Sequence, residues 1–252
     1  MKKTDLSGLK SLKHQVKIGN EPQLVLLKNV SPDALLKVEI SRQDVDDQKL
    51  FNPLSVGMVL EAQNKIEALT TGRAIKIFSV KEGSNAANQP VDVIEQAVID
   101  VAYGGEIALA QNDTVDIGLS SLSSIQDSSM LIFGGLNDSP FPYVISEKTY
   151  NADRNEEEVS FVDGQFIIIP IDSIPTEIEI KRNGKKQILD AESLKHKAID
   201  DHGVIGYDKT EDPIYGFLKC IVLDVRNLDS VTFEDESEPR KDIKYYMVNT
   251  PY

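Results

Sequence analysis

One stretch of this sequence is used twice. Val16–Arg42 reads VKIGNEPQLVLLKNVSPDALLKVEISR and Val159–Arg182 reads VSFVDGQFIIIPIDSIPTEIEIKR. Each holds a short strand, a polar break, a four-residue apolar run, a Pro-marked turn and an alternating strand, in that order. An offset of 143 residues separates Val16 from Val159 and Pro32 from Pro175, and 140 separates Val38 from Ile178. Downstream, Arg73–Val80 matches Gly216–Val225, and Val93–Val101 matches Lys241–Val248 at a slightly larger offset. Self-similarity at a fixed spacing marks a repeated unit. The chain of 252 residues is long enough for two domains of ordinary size.

The units read as β-rich. In LLKVEIS, Leu36, Val38 and Ile40 fall on one face and Lys37 and Glu39 on the other, the alternation of a sheet with one wet face. Further strands are expected at Gln15–Ile18, Gln23–Lys28, Arg73–Val80, Val93–Tyr103, Glu106–Ala110 and Thr114–Leu119, with a turn at Gln111–Asp113. Asn52 followed by Pro53 predicts a helix start, and a helix to about Leu69 would bury Leu54, Met58, Ala62, Ile66 and Leu69. Ser120–Ser129 is Ser-rich and reads as the linker. Beyond it, eight strands are expected: Met130–Phe133, Tyr143–Ser146, Glu158–Val162, Phe166–Ile171, Thr176–Arg182, Tyr215–Val225, Val231–Phe233 and Ile243–Asn249. A short helix over Ala191–Asp200 would be capped by Asp190 and end near Gly203. Many short strands with few helices predict sandwiches rather than an alternating α/β enzyme.

A net charge of −14 argues against general nucleic-acid binding, which needs a clustered basic surface. The single cysteine, Cys220, lies in an apolar strand and builds neither a disulfide framework nor a cysteine metal site. No apolar run approaches the roughly 20 residues of a membrane span, and Met1–Lys13 lacks the apolar centre of a signal peptide. A soluble protein is expected.

Candidate chemistry is sparse. His14, His196 and His202 are the only histidines, no Gly-x-Ser-x-Gly elbow is present, and His196 and His202 are not four residues apart as in a zinc-protease helix. Asp200, Asp201 and His202 read as a surface loop. Arg182-Asn183-Gly184-Lys185 lacks the flanking residues of a phosphate loop and reads as a tight hairpin turn. Asn151, Asp153 and Asn155 begin like a calcium loop, but Glu156 and Val162 stand where that loop needs Gly and Glu. Glu234, Asp235, Glu236 and Glu238 form another acidic loop, read as solvated surface. Trp is absent and Phe141, Pro142 and Tyr143 stand alone, a poor sugar platform. No enzyme, metal or cofactor is expected.

Met1–Lys13 is basic in an acidic chain. Leu6, Leu9 and Leu12 recur at three-residue spacing between Lys2, Lys3, Lys10 and Lys13, which on a helix is the pattern of an interfacial segment. A partner-docked terminus fits the same residues.

Two consecutive β-sandwiches, a helix late in each, a short N-terminal arm and no catalytic constellation resemble the double jelly-roll major capsid proteins of membrane-containing icosahedral viruses, a corticovirus- and tectivirus-like lineage. The resemblance is nearest to the compact corticovirus type, where an apolar strand, a Ser/Thr-Pro turn and an alternating strand recur as in LLKNVSPDALLKVEISR (Leu26–Arg42). It implies an all-β fold of two tandem jelly-roll sandwiches, each with an inserted short helix: an arm over 1–14, a first domain over 15–121 and a second over 122–252. The first half shows only six or seven strands where that family has eight. The resemblance further implies a major capsid subunit that forms trimeric pseudo-hexagonal capsomers of a virion assembled in the host cytoplasm. Its partners would be itself, vertex or minor capsid proteins, and an internal membrane met by Lys2, Lys3, Leu6, Leu9, Lys10 and Lys13. No specific nucleic acid is implied. The alternatives are another virion β-protein, such as a spike, fibre or vertex component, and a carbohydrate-binding surface module.

Overall fold

The computed structural model describes residues 2–17, 22–41, 48–71, 80–101, 112–134, 144–151, 159, 164–191, 193–194, 219–236 and 242–249. The first half contains β1 (Lys2–Asp5), β2 (Leu12–Lys17), β3 (Pro22–Val30), β4 (Leu35–Ser41), β5 (Gln48–Ser55), α1 (Val56–Thr71), β6 (Val80–Ser84), β7 (Pro90–Asp100), β8 (Thr114–Ser120) and β9 (Ser129–Gly134). The second contains β10 (Val144–Tyr150), β11 (Gly164–Pro170), β12 (Glu177–Arg182), β13 (Lys185–Asp190), β14 (Cys220–Asp224), β15 (Ser230–Glu234) and β16 (Ile243–Asn249).

The strand orders establish the duplication. One sheet runs β1-β9-β3-β7-β6 and faces a second that runs β2-β8-β4-β5. In the second half, β10-β16-β11-β14 faces β13-β12-β15. The quartet β1, β9, β3, β7 maps onto β10, β16, β11, β14, and β8, β4, β5 map onto β15, β12, β13. The Val159 N–H donates to the Val231 carbonyl of β15 at 2.6 Å, so Val159 takes the place beside β15 that Val16 of β2 takes beside β8. The repeated stretch is thus the step in which the chain leaves one sheet and enters the other, with Pro32 and Pro175 at the crossing.

The downstream matches follow a different pairing. β14 is equivalent to β7, not to Arg73–Val80, and β16 is equivalent to β9, not to Val93–Val101. Short apolar strands resemble one another whatever their place in the fold, so composition alone shifted the alignment.

The N-terminal residues do not form a helix. β1 pairs antiparallel with β9 from Lys2↔Ile132 to Asp5↔Ser129, and Leu6 is 1% exposed in the core. β9 was expected to open the second half as Met130–Phe133. It lies instead between β1 and β3, so the first sandwich has its full eight strands, with β6 added at one edge. The Ser-rich segment is correspondingly held in place. The Leu6 N–H donates to the Ser128 carbonyl (2.9 Å), Leu122 to Lys10 (3.1 Å) and Ala86 to Ser124 (3.0 Å). These bonds gather the β1–β2, β8–β9 and β6–β7 turns at one end of the sandwich, here the turn end. The ends of β2, β4 and β7 and the starts of β3, β5 and β8 lie at the other, the terminal end.

Asn52 and Pro53 are part of β5, and α1 is started by Ser55, whose Oγ accepts the Met58 N–H at 3.2 Å. Met58, Ala62 and Ile66 are buried as expected; Leu54 is buried from β5, and Leu69 is 37% exposed. Asp190 does act as a cap, since its Oδ1 accepts the Ser193 N–H at 2.8 Å. The expected strands at Arg73–Val80 (before Val80) and Glu106–Ala110, and most of the expected helix over Ala191–Asp200, lie outside the described residues.

Two apolar cores follow. The smaller fills the second sandwich, where Phe233 meets Tyr150 and Tyr245 edge-to-face at centroid distances of 5.5 and 5.6 Å. The larger fills the first sandwich and continues through α1 onto the outer face of the β10-β16-β11-β14 sheet, taking in Ile145, Phe166, Ile168, Cys220, Val222, Tyr246 and Val248. That sheet is therefore covered on both faces, and Phe166, Ile167, Ile168 and Ile169 are each 0% exposed. An uninterrupted apolar run is what a strand buried on both faces requires. We expect Ile167→Ala and Ile168→Ala, which point to opposite faces, each to cost about 2–5 kcal/mol in chemical denaturation. A near-neutral result for Ile168→Ala would mean that the outer face is not a core.

Candidate functional site

Among the described residues, those singled out for chemistry are not brought together. His14 is half-buried on β2, opposite Ile117. His196, His202, Asp200, Asp201, Asp153, Asn155, Glu156, Glu238 and the Phe141–Tyr143 cluster lie outside the described residues. Arg182–Lys185 is the tip of the β12–β13 hairpin, with positive φ at Asn183 (50°) and Gly184 (71°), so the tight-turn reading holds. Among the described residues, no group of three or more His, Cys, Asp or Glu side chains is placed to hold a metal ion, and no helix is long and apolar enough to cross a membrane. Of the N-terminal residues, Lys3, Lys10 and Lys13 are exposed, and Lys13 Nζ meets Asp116 at 2.8 Å. Leu6 is buried, and Leu9 is half-buried against the core.

Buried ionisable chemistry is concentrated where α1 meets the second sandwich. Glu61 and Lys65, one helical turn apart, are both 0% exposed. The Glu61 carboxylate accepts the Lys219 N–H at 2.9 Å (Oε1) and 2.7 Å (Oε2) and the Cys220 N–H at 2.8 Å (Oε2). Lys65 Nζ donates to the Cys220 carbonyl at 3.1 Å. β14 is the edge strand of its sheet, so its outward backbone groups need partners. The acceptor and donor of two helix side chains stand in for a neighbouring strand. Gln63 does the same for the first sandwich. Its amide oxygen accepts the Asp100 N–H at 3.2 Å and its amide nitrogen donates to the Asp100 carbonyl, at the end of β7 that β6 does not reach.

The turn end closes the junction. The Val56 N–H donates to the Ala34 carbonyl (2.8 Å) and the Gly57 N–H to that of Pro32 (2.9 Å). A Cβ on Gly57 would stand 3.3 Å from Lys219 Cγ and from Pro32 Cβ and O, so three elements meet where only hydrogen fits comfortably. Lys219 Nζ reaches Asp33 at 2.9 Å, and the Ile171 N–H donates to the Lys219 carbonyl (2.9 Å). The turn ends of the two sandwiches therefore coincide, and both stand the same way up.

A carboxyl, an amine and a thiol side by side invite a catalytic reading. The geometry speaks against it. Glu61, Lys65 and Cys220 are all 0% exposed, and the first two spend their hydrogen bonds on backbone. Burial, with Glu61 adding to it, pushes the Cys220 thiol well up, the opposite of what a nucleophile needs. The signal that sequence reasoning passed over was VGMVL: five successive residues without a polar side chain at the helix start imply burial all round.

Burial pushes the Glu61 carboxyl up from 4.5 to about 7, against the opposing pull of Lys65 and the Lys219 and Cys220 backbone donors. The folded protein thus holds this proton more tightly than the unfolded chain. Its contribution to stability is complete below about pH 4.5 and is lost as pH rises through about 7. Relative to Glu61→Gln, the unsubstituted protein should lose on the order of 3 kcal/mol between pH 4 and 8. Urea denaturation across that range measures it, and parallel pH profiles would exclude titration of Glu61.

No protein-family profile matches the sequence, and no curated protein matches it. Among solved structures, a chain in the atomic structure of Sulfolobus turreted icosahedral virus is similar, with a TM-score of 0.52 and 11% identity over 99% of this chain and 88% of that one. The major capsid protein P2 from bacteriophage PM2 aligns over 98% of this chain and 92% of its own, with a TM-score of 0.46 and 11% identity. With the strand order seen twice, the fold is an all-β double jelly roll.

Proposed function

We propose that this chain is a capsid subunit of an icosahedral virus. The observation that carries the reading is the junction: two sandwiches of one strand order, held the same way up by a helix that satisfies an edge of each. A likeness of fold to a chain of an icosahedral virion, over almost the whole length, supports it. In this reading the sandwiches divide between Gly134 and Val144, and three copies place six similar sandwiches around a ring, a pseudo-hexagonal capsomer. The subunit acts by self-association and not by catalysis. Vertex or minor capsid proteins and an internal membrane are further partners. The virion is its destination, after assembly in host cytoplasm.

Light scattering of the purified chain should give discrete trimers of the 27.9 kDa subunit, and negative-stain images should contain six-cornered rings. A protein that stays strictly monomeric at high concentration would overturn the proposal.

A further inference from the structure

The outer face of the β13-β12-β15 sheet is sorted into rows of like charge. Ile178 points into the core at 0% exposure, so Glu177, Glu179 and Lys181 point away from it, and their cross-strand partners Asp190, Ile188 and Lys186 share that face. One row across the three strands holds Glu234, Glu177 and Asp190. The middle row holds Thr232, Glu179 and Ile188, and the last holds Ser230, Lys181 and Lys186. Three acids thus stand side by side at one end of the face and two lysines at the other, and like charges directly opposite one another destabilise a sheet. Lys186 leans back to Glu179 at 2.5 Å, a diagonal contact that leaves each row as it is. Between the charged rows Ile188 is 52% exposed, one of three large apolar side chains open to solvent among the described residues.

β13 is also the edge of its sheet. Among the described residues its strand neighbour is β12 alone. Asn183 and Gly184 make a two-residue hairpin turn, whose closing pair, Arg182 and Lys185, exchanges both backbone bonds. Alternation along the strand then turns the backbone groups of Lys185, Gln187 and Leu189 toward β12 and those of Lys186, Ile188 and Asp190 outward.

We infer that two copies of this chain pair antiparallel through β13, with Ile188 on the twofold axis. The charges set the register. With Ile188 opposite Ile188, Lys186 of each copy faces Asp190 of the other, and the lysine row of one copy runs on into the acid row of its neighbour. The same register sets outward-turned residues opposite outward-turned residues, as a backbone ladder requires. Moving the axis to Gln187 would oppose Lys186 with Ile188, and moving it to Leu189 would oppose Ile188 with Asp190; neither matches a charge. The inference goes beyond the capsid reading and does not rest on it. Copies paired in this way stand opposite ways up, so the contact belongs to subunits outside a shell. An edge of six residues buries less than a lasting interface needs, so the pair is transient and has to be trapped.

The trap is Ile188→Cys in the full-length protein. Across an antiparallel hydrogen-bonded pair the Cα atoms lie about 5.5 Å apart, within the span of a disulfide, and the native Cys220 is buried and does not compete. Under oxidised glutathione, non-reducing gels should show a linked dimer forming much faster than with Val98→Cys, a comparably exposed position (48%) on another sheet. Adding Lys181→Glu and Lys186→Glu to Ile188→Cys makes both symmetry-related contacts repulsive and should slow linkage by about tenfold. Adding Glu177→Lys and Asp190→Asn instead, which keeps a capping side chain for the Ser193 N–H, should slow it as well. Mixing these two chains should restore fast linkage, because acidic rows then meet basic ones. Equal linkage at Ile188 and Val98, no slowing by either pair of charge changes, or no recovery in the mixture would each overturn the inference. Light scattering of the unsubstituted protein reports trimers separately, so failure of the pairing and failure of the capsid reading are distinguishable.

Discussion

The structure depends on a helix that behaves as a strand toward two sheets at once. Edge strands leave backbone groups unpaired, and burying such an edge without partners costs about as much as the lost hydrogen bonds. Here the edges of β7 and β14 are brought against α1. The Gln63 amide answers one, and the Glu61 carboxylate with the Lys65 ammonium answers the other. Burying two charges is costly in itself, and a well-packed apolar pair of similar size would often be as stable. An apolar pair, however, would leave the Lys219 and Cys220 N–H groups and the Cys220 carbonyl without partners. The charges are retained because the backbone they meet is polar, and their directional bonds fix the register of helix on strand.

From that register follows the double burial of the β10-β16-β11-β14 sheet. The first sandwich keeps the usual arrangement, one core face and one wetter face, and its strands alternate: in β4, Leu36, Val38 and Ile40 are buried while Lys37 and Glu39 pair across the outer face at 2.7 Å. β11 has no wet face and reads as FIII. The halves are siblings by topology and unequal by environment, because only one of them offers a whole sheet face to the other. The chain cannot then be treated as two beads on a string. Removing the first sandwich would expose Phe166, Ile168, Val222 and Val248 together, a contiguous apolar face of the kind that aggregates.

The legible part of the fold was local. The crossing of β3 into β4 and of β11 into β12 could be read because a turn proline and an apolar run lie within one short window, and that window contained the evidence for duplication. The illegible part was non-local. β1 reads KKTD, with nothing in its composition to mark a strand, and becomes one only because β9, more than a hundred residues later, returns to pair with it. The leucines at 6, 9 and 12 imitate a helical face because a buried turn residue and two half-buried neighbours happen to fall at that spacing. The Ser-rich segment looked unanchored because its anchors are backbone carbonyls, which no side-chain pattern reveals. At the junction, Glu61 and Lys65 have the spacing of a solvated ion pair on a helix surface. Only the continuous apolar residues before them indicate that no surface is there.

A net charge says little about a molecule whose charges are sorted by position. The value of −14 is a ground for expecting no general nucleic-acid binding, yet it averages over acidic β8–β9 and β15–β16 turns and a basic β12–β13 hairpin at the opposite end of the strands. Screening at physiological salt limits the reach of surface charge to about 8 Å. Each end is therefore sensed by its surroundings on its own terms, and the total is felt by neither. Such sorting requires that both sandwiches point the same way, since a reversed second half would lay the Lys181–Lys186 hairpin beside Asp33 and Asp127. The contacts that hold α1 at Pro32, Ala34 and Lys219 fix that orientation, so the polarity of charge is a consequence of the same junction that closes the sheet edges.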